Sequence, residues 1–213
     1  MPKQAMHARL AESKGRLGSS LYAAILCLLV LAASGGIGLA LKSPWLFPSL
    51  GPTVMLFFES PQLKSARPAN ALIGHLVGLA AGAACLYGFG LQHQAATPVG
   101  GLSPTHVAAG ALSVALTTLV LTWTNKPHPP AGATTLIISL GILSTPAELL
   151  SMLGAIIFIT LLGWGLNLLL GTKPATGKYP GCPSYLSAWW ARGGEAVFIQ
   201  AATQQACTAA SSR

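Results

Sequence analysis

An all-α, polytopic membrane fold is predicted by three features: an apolar composition, four apolar stretches of spanning length, and a proline-glycine pattern that occurs twice. Of the 213 residues, 52% are hydrophobic and 8% are charged, where an ordinary soluble domain carries about 25% charged residues. There is no Asp, and the acidic residues are Glu12, Glu59, Glu148 and Glu195. The pattern P-x-x-G-x-T is read in Pro48-Ser49-Leu50-Gly51-Pro52-Thr53 and again, 81 residues later, in Pro129-Pro130-Ala131-Gly132-Ala133-Thr134.

Residues 1–17 form a polar, basic tail, with Lys3, Arg9, Lys14 and Arg16 against Glu12. Leu21–Leu41 is an apolar run of about the 20 residues that span a bilayer. A signal peptide cleaved near Ala32-Ala33-Ser34-Gly35 is the competing reading; the run stays apolar to Leu41, which favours a span. Trp45–Phe58 is apolar but short, and Pro48 and Pro52 interrupt it. A polar loop over 59–68 carries Glu59, Lys64 and Arg67. Asn70–Gly90, rich in Gly and Ala, spans, and the loop 91–103 has no Lys, Arg, Asp or Glu. Pro104–Trp123 spans. Residues 124–128 make a polar turn with Lys126 and His128. Pro129–Leu143 is the second short segment, and Pro146–Leu170 the last span. Residues 171–213 read as a tail, where Tyr185, Trp189 and Trp190 fit a membrane-surface segment.

The order long, short, long therefore occurs twice. It divides a transmembrane domain at 18–170 into repeat one, 18–90, and repeat two, 102–170; internal symmetry of this kind is common in transporters. With six crossings and a cytoplasmic N-terminus, Lys64, Arg67, Lys126, Lys173, Lys178 and Arg192 fall inside and Lys42 alone falls outside. With re-entrant short segments, Lys42, Lys64, Arg67 and Lys126 all fall outside. The positive-inside rule prefers six crossings, with both termini cytoplasmic. Three crossings per repeat make the halves inverted. The net charge of +8 follows from these flanks and carries no basic stripe of the kind that binds nucleic acid.

The short segments carry the candidate chemistry. Proline fixes φ and lacks an N–H, and broken backbone at membrane depth persists only where protein or a water-filled cavity satisfies it. Each segment is expected to be an extended, proline-stiffened stretch followed by about ten helical residues, or roughly 15 Å, half a hydrocarbon core. A helix N-terminus exposes N–H groups and about half a positive charge, a ready site for an anion. Gly51 and Gly132 would let a solute approach the backbone. Thr53 and Thr134 offer hydroxyls, Pro48, Pro129 and Pro130 stiffen the approach, and Lys126 and His128 add charge or hydrogen bonds at the second mouth. His75 lies inside a span, where an ionisable residue is a functional candidate; a neutral, hydrogen-bonded bundle histidine is the bland reading. Small residues that serve only packing, and threonines that satisfy freed carbonyls, are the corresponding bland readings of the motif. His106 lies near a membrane end, and Asn70, Asn125 and Asn167 are placed to bond across helices.

No metal-ligand spacing, C-x-x-C, Walker loop, H-E-x-x-H or G-x-S-x-G is found. No enzyme, cofactor or metal site is expected.

The run Asn125–Ile137 around His128-Pro129-Pro130, together with Phe47-Pro48-Ser49-Leu50-Gly51-Pro52-Thr53 and the stretch from Ser60-Pro61 through Arg67-Pro68-Ala69-Asn70 to Gly74-His75, resembles the HPP family of integral membrane proteins over roughly residues 18–170. That family is usually described with four spanning helices, two fewer than the crossings counted above. Its plant plastid and cyanobacterial members are regarded as nitrite transporters, so the resemblance implies transport, with nitrite the first candidate. The half-helices point separately to a small monovalent anion. The expected setting is a bacterial inner membrane, with the lipid bilayer and a small inorganic anion as partners, no nucleic acid, and a homodimer left open. A membrane-embedded sensor that binds a small solute without moving it is the alternative, and a structural subunit of a larger complex a weaker third.

Overall fold

A computed structural model describes residues 6–174, all within one compact unit. The membrane-surface segment expected around Tyr185, Trp189 and Trp190 lies outside the described residues. Among those described there are seven α-helices and no strand: α1 (Met6–Leu41), α2 (Leu50–Glu59), α3 (Pro68–Gly88), α4 (Thr97–Gly100), α5 (Pro104–Trp123), α6 (Pro130–Ser139) and α7 (Pro146–Leu169). Short 3₁₀ turns at Lys64–Ala66 and Leu91–His93 interrupt the loops. Four helices are long and apolar enough to cross a membrane: Leu17–Leu41 within α1, α3, α5 and α7. From Met6 onward the basic tail is helical, joined to the span across Gly15, whose φ of 58° is open to glycine and costly for other residues.

The two short helices start earlier than expected. The proline-rich motifs were expected to be extended, with helix after Thr53 and Thr134, but α2 begins at Leu50 and α6 at Pro130. The motif therefore forms the first turn of each helix. First-turn N–H groups have no intrahelical partner, so Pro52 and Pro130 sacrifice nothing there, and their fixed φ suits a helix start. At the other end of the chain's spans, α7 is opened by a capping box: the Thr145 hydroxyl accepts from the Glu148 N–H at 3.3 Å, and the Glu148 carboxylate accepts from the Thr145 N–H at 3.0 Å.

Long-range contacts order the segments along the bundle. At one end Ser43 meets Ser151 near the start of α7 (2.7 Å), and the Tyr87 hydroxyl donates to the Ser144 carbonyl (2.9 Å). At the opposite end Gln62 donates to the Lys173 carbonyl just beyond α7 (3.2 Å), and Lys64 donates to Asn125 (2.6 Å). The segment holding α2 thus runs the length of α7, and the segment holding α6 runs the length of α3. The helices α2 and α6 run in opposite directions.

Glycines decide which helices come close. Gly74, Gly78 and Gly82 recur every four residues and so share one face of α3. A Cβ at Gly74 would lie 2.7 Å from His128 Cβ, one at Gly78 2.7 Å from the Ala131 carbonyl oxygen, and one at Gly82 2.8 Å from the Thr135 carbonyl oxygen. The absent side chains let α6 rest against the α3 backbone, the small-residue packing that replaces hydrophobic drive between helices in lipid. Gly163 on α7 does the same for Phe57 of α2, where a Cβ would stand 2.9 Å from the ring. Asn167 and Trp164 then secure α7, donating to the Phe57 carbonyl (2.8 Å) and the Ala66 carbonyl (2.9 Å). Asn70 donates to the Lys64 carbonyl (2.9 Å), so it ties α3 to its own loop rather than to another helix.

Candidate functional site

Four side chains from three helices and a loop meet in the buried interior: Thr53 of α2, His75 of α3, Thr134 of α6 and His128 just before α6, each at most 1% exposed. The His75 ring lies between the two motif threonines, with Nε2 2.8 Å from Thr53 Oγ1 and Nδ1 2.7 Å from Thr134 Oγ1. His128 Nε2 lies 3.3 Å from both Thr53 Oγ1 and His75 Nε2, and the two rings meet edge-on, centroids 4.9 Å apart. His128 Nδ1 is 2.9 Å from the Ser65 carbonyl oxygen. The space for His128 exists because residue 74 has no side chain.

The bonds constrain the protons. A carbonyl only accepts, so His128 Nδ1 carries hydrogen and, in the neutral ring, Nε2 is an acceptor. The Thr53 hydroxyl donates to the Ser49 carbonyl at 3.1 Å, leaving its oxygen to accept from His75 Nε2–H. His75 Nδ1 then accepts from the Thr134 hydroxyl. With both rings neutral, His75 Nε2–H is shared between Thr53 Oγ1 at 2.8 Å and His128 Nε2 at 3.3 Å, and the contact between His128 Nε2 and Thr53 Oγ1 pairs two acceptors. No Asp, Glu, Lys or Arg bonds to either ring among the described residues.

The other candidates are dispersed. Gly51 and Gly132 sit two residues before the threonines, about 200° round the helix. Both are half-buried, and a Cβ at either meets nothing within 4 Å. Pro48 and Pro129 are exposed, while Pro130 is buried. Three of the first backbone N–H groups are engaged: Leu50 with the Phe47 carbonyl, Ala131 with that of His128, and Gly132 with that of Pro129. The groups that meet at the centre are hydroxyls and imidazoles. Lys126 is half-buried at the bundle end and makes no side-chain hydrogen bond into the cluster. Lys64 instead bonds to Asn125, which takes φ 55°, a conformation Asn tolerates better than most residues. Burial, and secondarily the Arg67 guanidinium, hold the Lys64 ammonium below its ordinary pKa.

Three participants escape sequence reasoning. The Ser65 carbonyl leaves no trace in a residue pattern. Ser49 lends its carbonyl to Thr53, and its own hydroxyl is fully buried without a partner. Gly74 stood in the sequence only as the residue before His75, with no role assigned to it. His106 bonds to Ser103 at the start of α5 (2.7 Å) and stays apart from the cluster.

Helices of spanning length around a buried polar centre define an integral membrane protein of the α-helical class. The sequence model of the HPP transmembrane region matches residues 12–176, and the chain belongs to the HPP family of membrane proteins. No curated protein and no solved structure matches the chain.

Proposed function

We propose that this protein transports a small monovalent anion, nitrite first among the candidates, past the first turns of α2 and α6. The observation that carries this reading is the meeting of Thr53 and Thr134 on one buried histidine. Buried polar side chains cost free energy unless paired, and in membrane segments they mark solute or proton paths by default. Two antiparallel short helices that bring equivalent threonines to one ring support an inverted-repeat design, with the centre near the bilayer midplane. Hydroxyl and imidazole donors suit an oxyanion, and the absence of a carboxylate among the bonds to these rings disfavours a bare cation. The end that holds Lys64, Arg67, Lys126 and Lys173, opposite Lys42, faces the cytoplasm on the positive-inside rule. The test is uptake of nitrite into proteoliposomes of the purified protein against protein-free vesicles. Saturable uptake and nitrite counterflow are expected; binding without flux would turn the reading to a sensor.

A further inference from the structure

The hydrogen-bond line that runs from the Ser65 carbonyl through His128 and His75 to Thr53 and Thr134 has a use beyond holding helices together. Each link is 2.7–3.3 Å long, and the line begins at the 60–67 loop, at the end of the bundle where Lys64 meets Asn125. It connects that loop to the buried centre without a carboxylate. We propose that the His75–His128 pair is a proton site that couples proton movement to anion movement, one proton carried with each anion. The inference rests on the transport reading above.

The neutral pair offers two nitrogens that accept, His75 Nδ1 and His128 Nε2. A proton on His75 Nδ1 turns that atom into a donor, so Thr134 must accept from it and its O–H hydrogen is released to another acceptor, such as an oxygen of the anion. A proton on His128 Nε2 faces the Thr53 oxygen and displaces the His75 Nε2–H contact. The second proton would place two positive rings with nitrogens 3.3 Å apart, and like charges at that distance oppose double occupancy. The pair therefore takes up at most one added proton at a time. An entering anion neutralises it, and both leave together: one H⁺ and one A⁻ move, and no net charge crosses.

The groups that face the pair are few. Helix α2 presents Thr53, with Glu59 at its far end; α6 presents Thr134; the 124–128 turn that carries His128 also carries Lys126; the 60–67 loop presents the Ser65 carbonyl, flanked by Lys64 and, beyond Ala66, Arg67. Glu148 opens α7 at the opposite end of the bundle, and His106 opens α5. None of these ionisable groups bonds to either ring, so the proton's natural partner in the centre is the transported anion.

The experiment uses the full chain in proteoliposomes with a trapped pH dye, nitrite as the probe, and protein-free vesicles to subtract passive permeation of nitrous acid. At a potential clamped to zero, nitrite uptake should acidify the lumen with one proton per anion, and lowering external pH by one unit should raise the initial rate several-fold, toward the tenfold of a fully proton-limited step. His75→Gln should flatten that pH profile, whereas His93→Gln, in an exposed loop position, should leave rate and profile unchanged. Should His75→Gln fail to fold, the proton count and pH profile of the unaltered protein still decide. Nitrite counterflow with no proton movement and no pH dependence overturns the coupling while leaving transport standing. Absence of both counterflow and uptake overturns the transport reading, and the coupling with it.

Discussion

The central side chains have tasks that single substitutions can separate. Thr134→Val keeps the shape of residue 134 but removes the partner of His75 Nδ1, and Thr53→Val does the same for Nε2. Interhelical hydrogen bonds in membranes are worth about 0.6 kcal/mol on average and up to about 1.7 kcal/mol, so each variant should fold, with a modest loss of thermal stability in detergent. If the hydroxyls also meet solute, apparent affinity should fall by a comparable step; an unchanged affinity would confine them to structure. His128→Ala should reduce nitrite uptake while the protein still inserts, because the apolar spans that drive insertion are unchanged. Normal uptake would leave the His-Pro-Pro turn a structural device. Thr53, Thr134, His75 and His128 were each legible as candidates from residue type and position. That they form one group was not, because hydrogen bonds between residues 22 to 75 positions apart have no signature in local sequence.

Among the elements, two sets of glycines give opposite expectations. Gly78 lies under the α6 backbone, where a Cβ would stand 2.7 Å from the Ala131 carbonyl oxygen and 2.8 Å from Thr135 Oγ1. Backbone cannot swing aside as a side chain can, so Gly78→Ala should separate α3 from α6 and destabilise the fold by about 1–3 kcal/mol, the usual cost of overpacking. Gly51 and Gly132 face open space, so Gly51→Ala and Gly132→Ala should melt within a degree or two of the parent, a shift of the order expected for changes below about 0.5 kcal/mol. Thermal unfolding of the three proteins checks the contrast. If either of the last two loses transport while keeping its stability, a solute passes close to that backbone; if both keep transport, the path lies elsewhere. The short helices themselves were visible as interrupted apolar segments. Their starts were misplaced by three or four residues, because a proline that breaks a helix interior is well suited to the first turn.

Across the whole molecule the prediction concerns orientation. Lys64 and Asn125 are hydrogen-bonded, so the 60–67 loop and the 124–128 turn occupy one end of the bundle. In a cysteine-free background, cysteines placed at Lys64 and Lys126 should react from the same side of the membrane, and the positive-inside rule makes that side cytoplasmic. Labelling from opposite sides would contradict the bundle's own contacts, and labelling of both from outside would reverse the orientation. The fold carries the short segments from one end of the bundle to the other alongside four helices of spanning length.

By itself, the sequence determined that this is a helical membrane protein, because apolar runs of spanning length and near-absence of charge admit few other solutions in a bilayer. It also determined the family, through the residues around His128-Pro129-Pro130, and the residue types available for a polar centre. The tertiary structure alone decided which of those residues meet. The four-residue glycine spacing on α3 sets how closely α6 approaches, that approach brings Thr134 to His75, and the opposite run of α2 brings Thr53 to the other side of the same ring. Gly51 and Gly132, equally prominent in the sequence, were turned away from the centre by the 3.6-residue helical repeat, which places residues two apart on opposite faces.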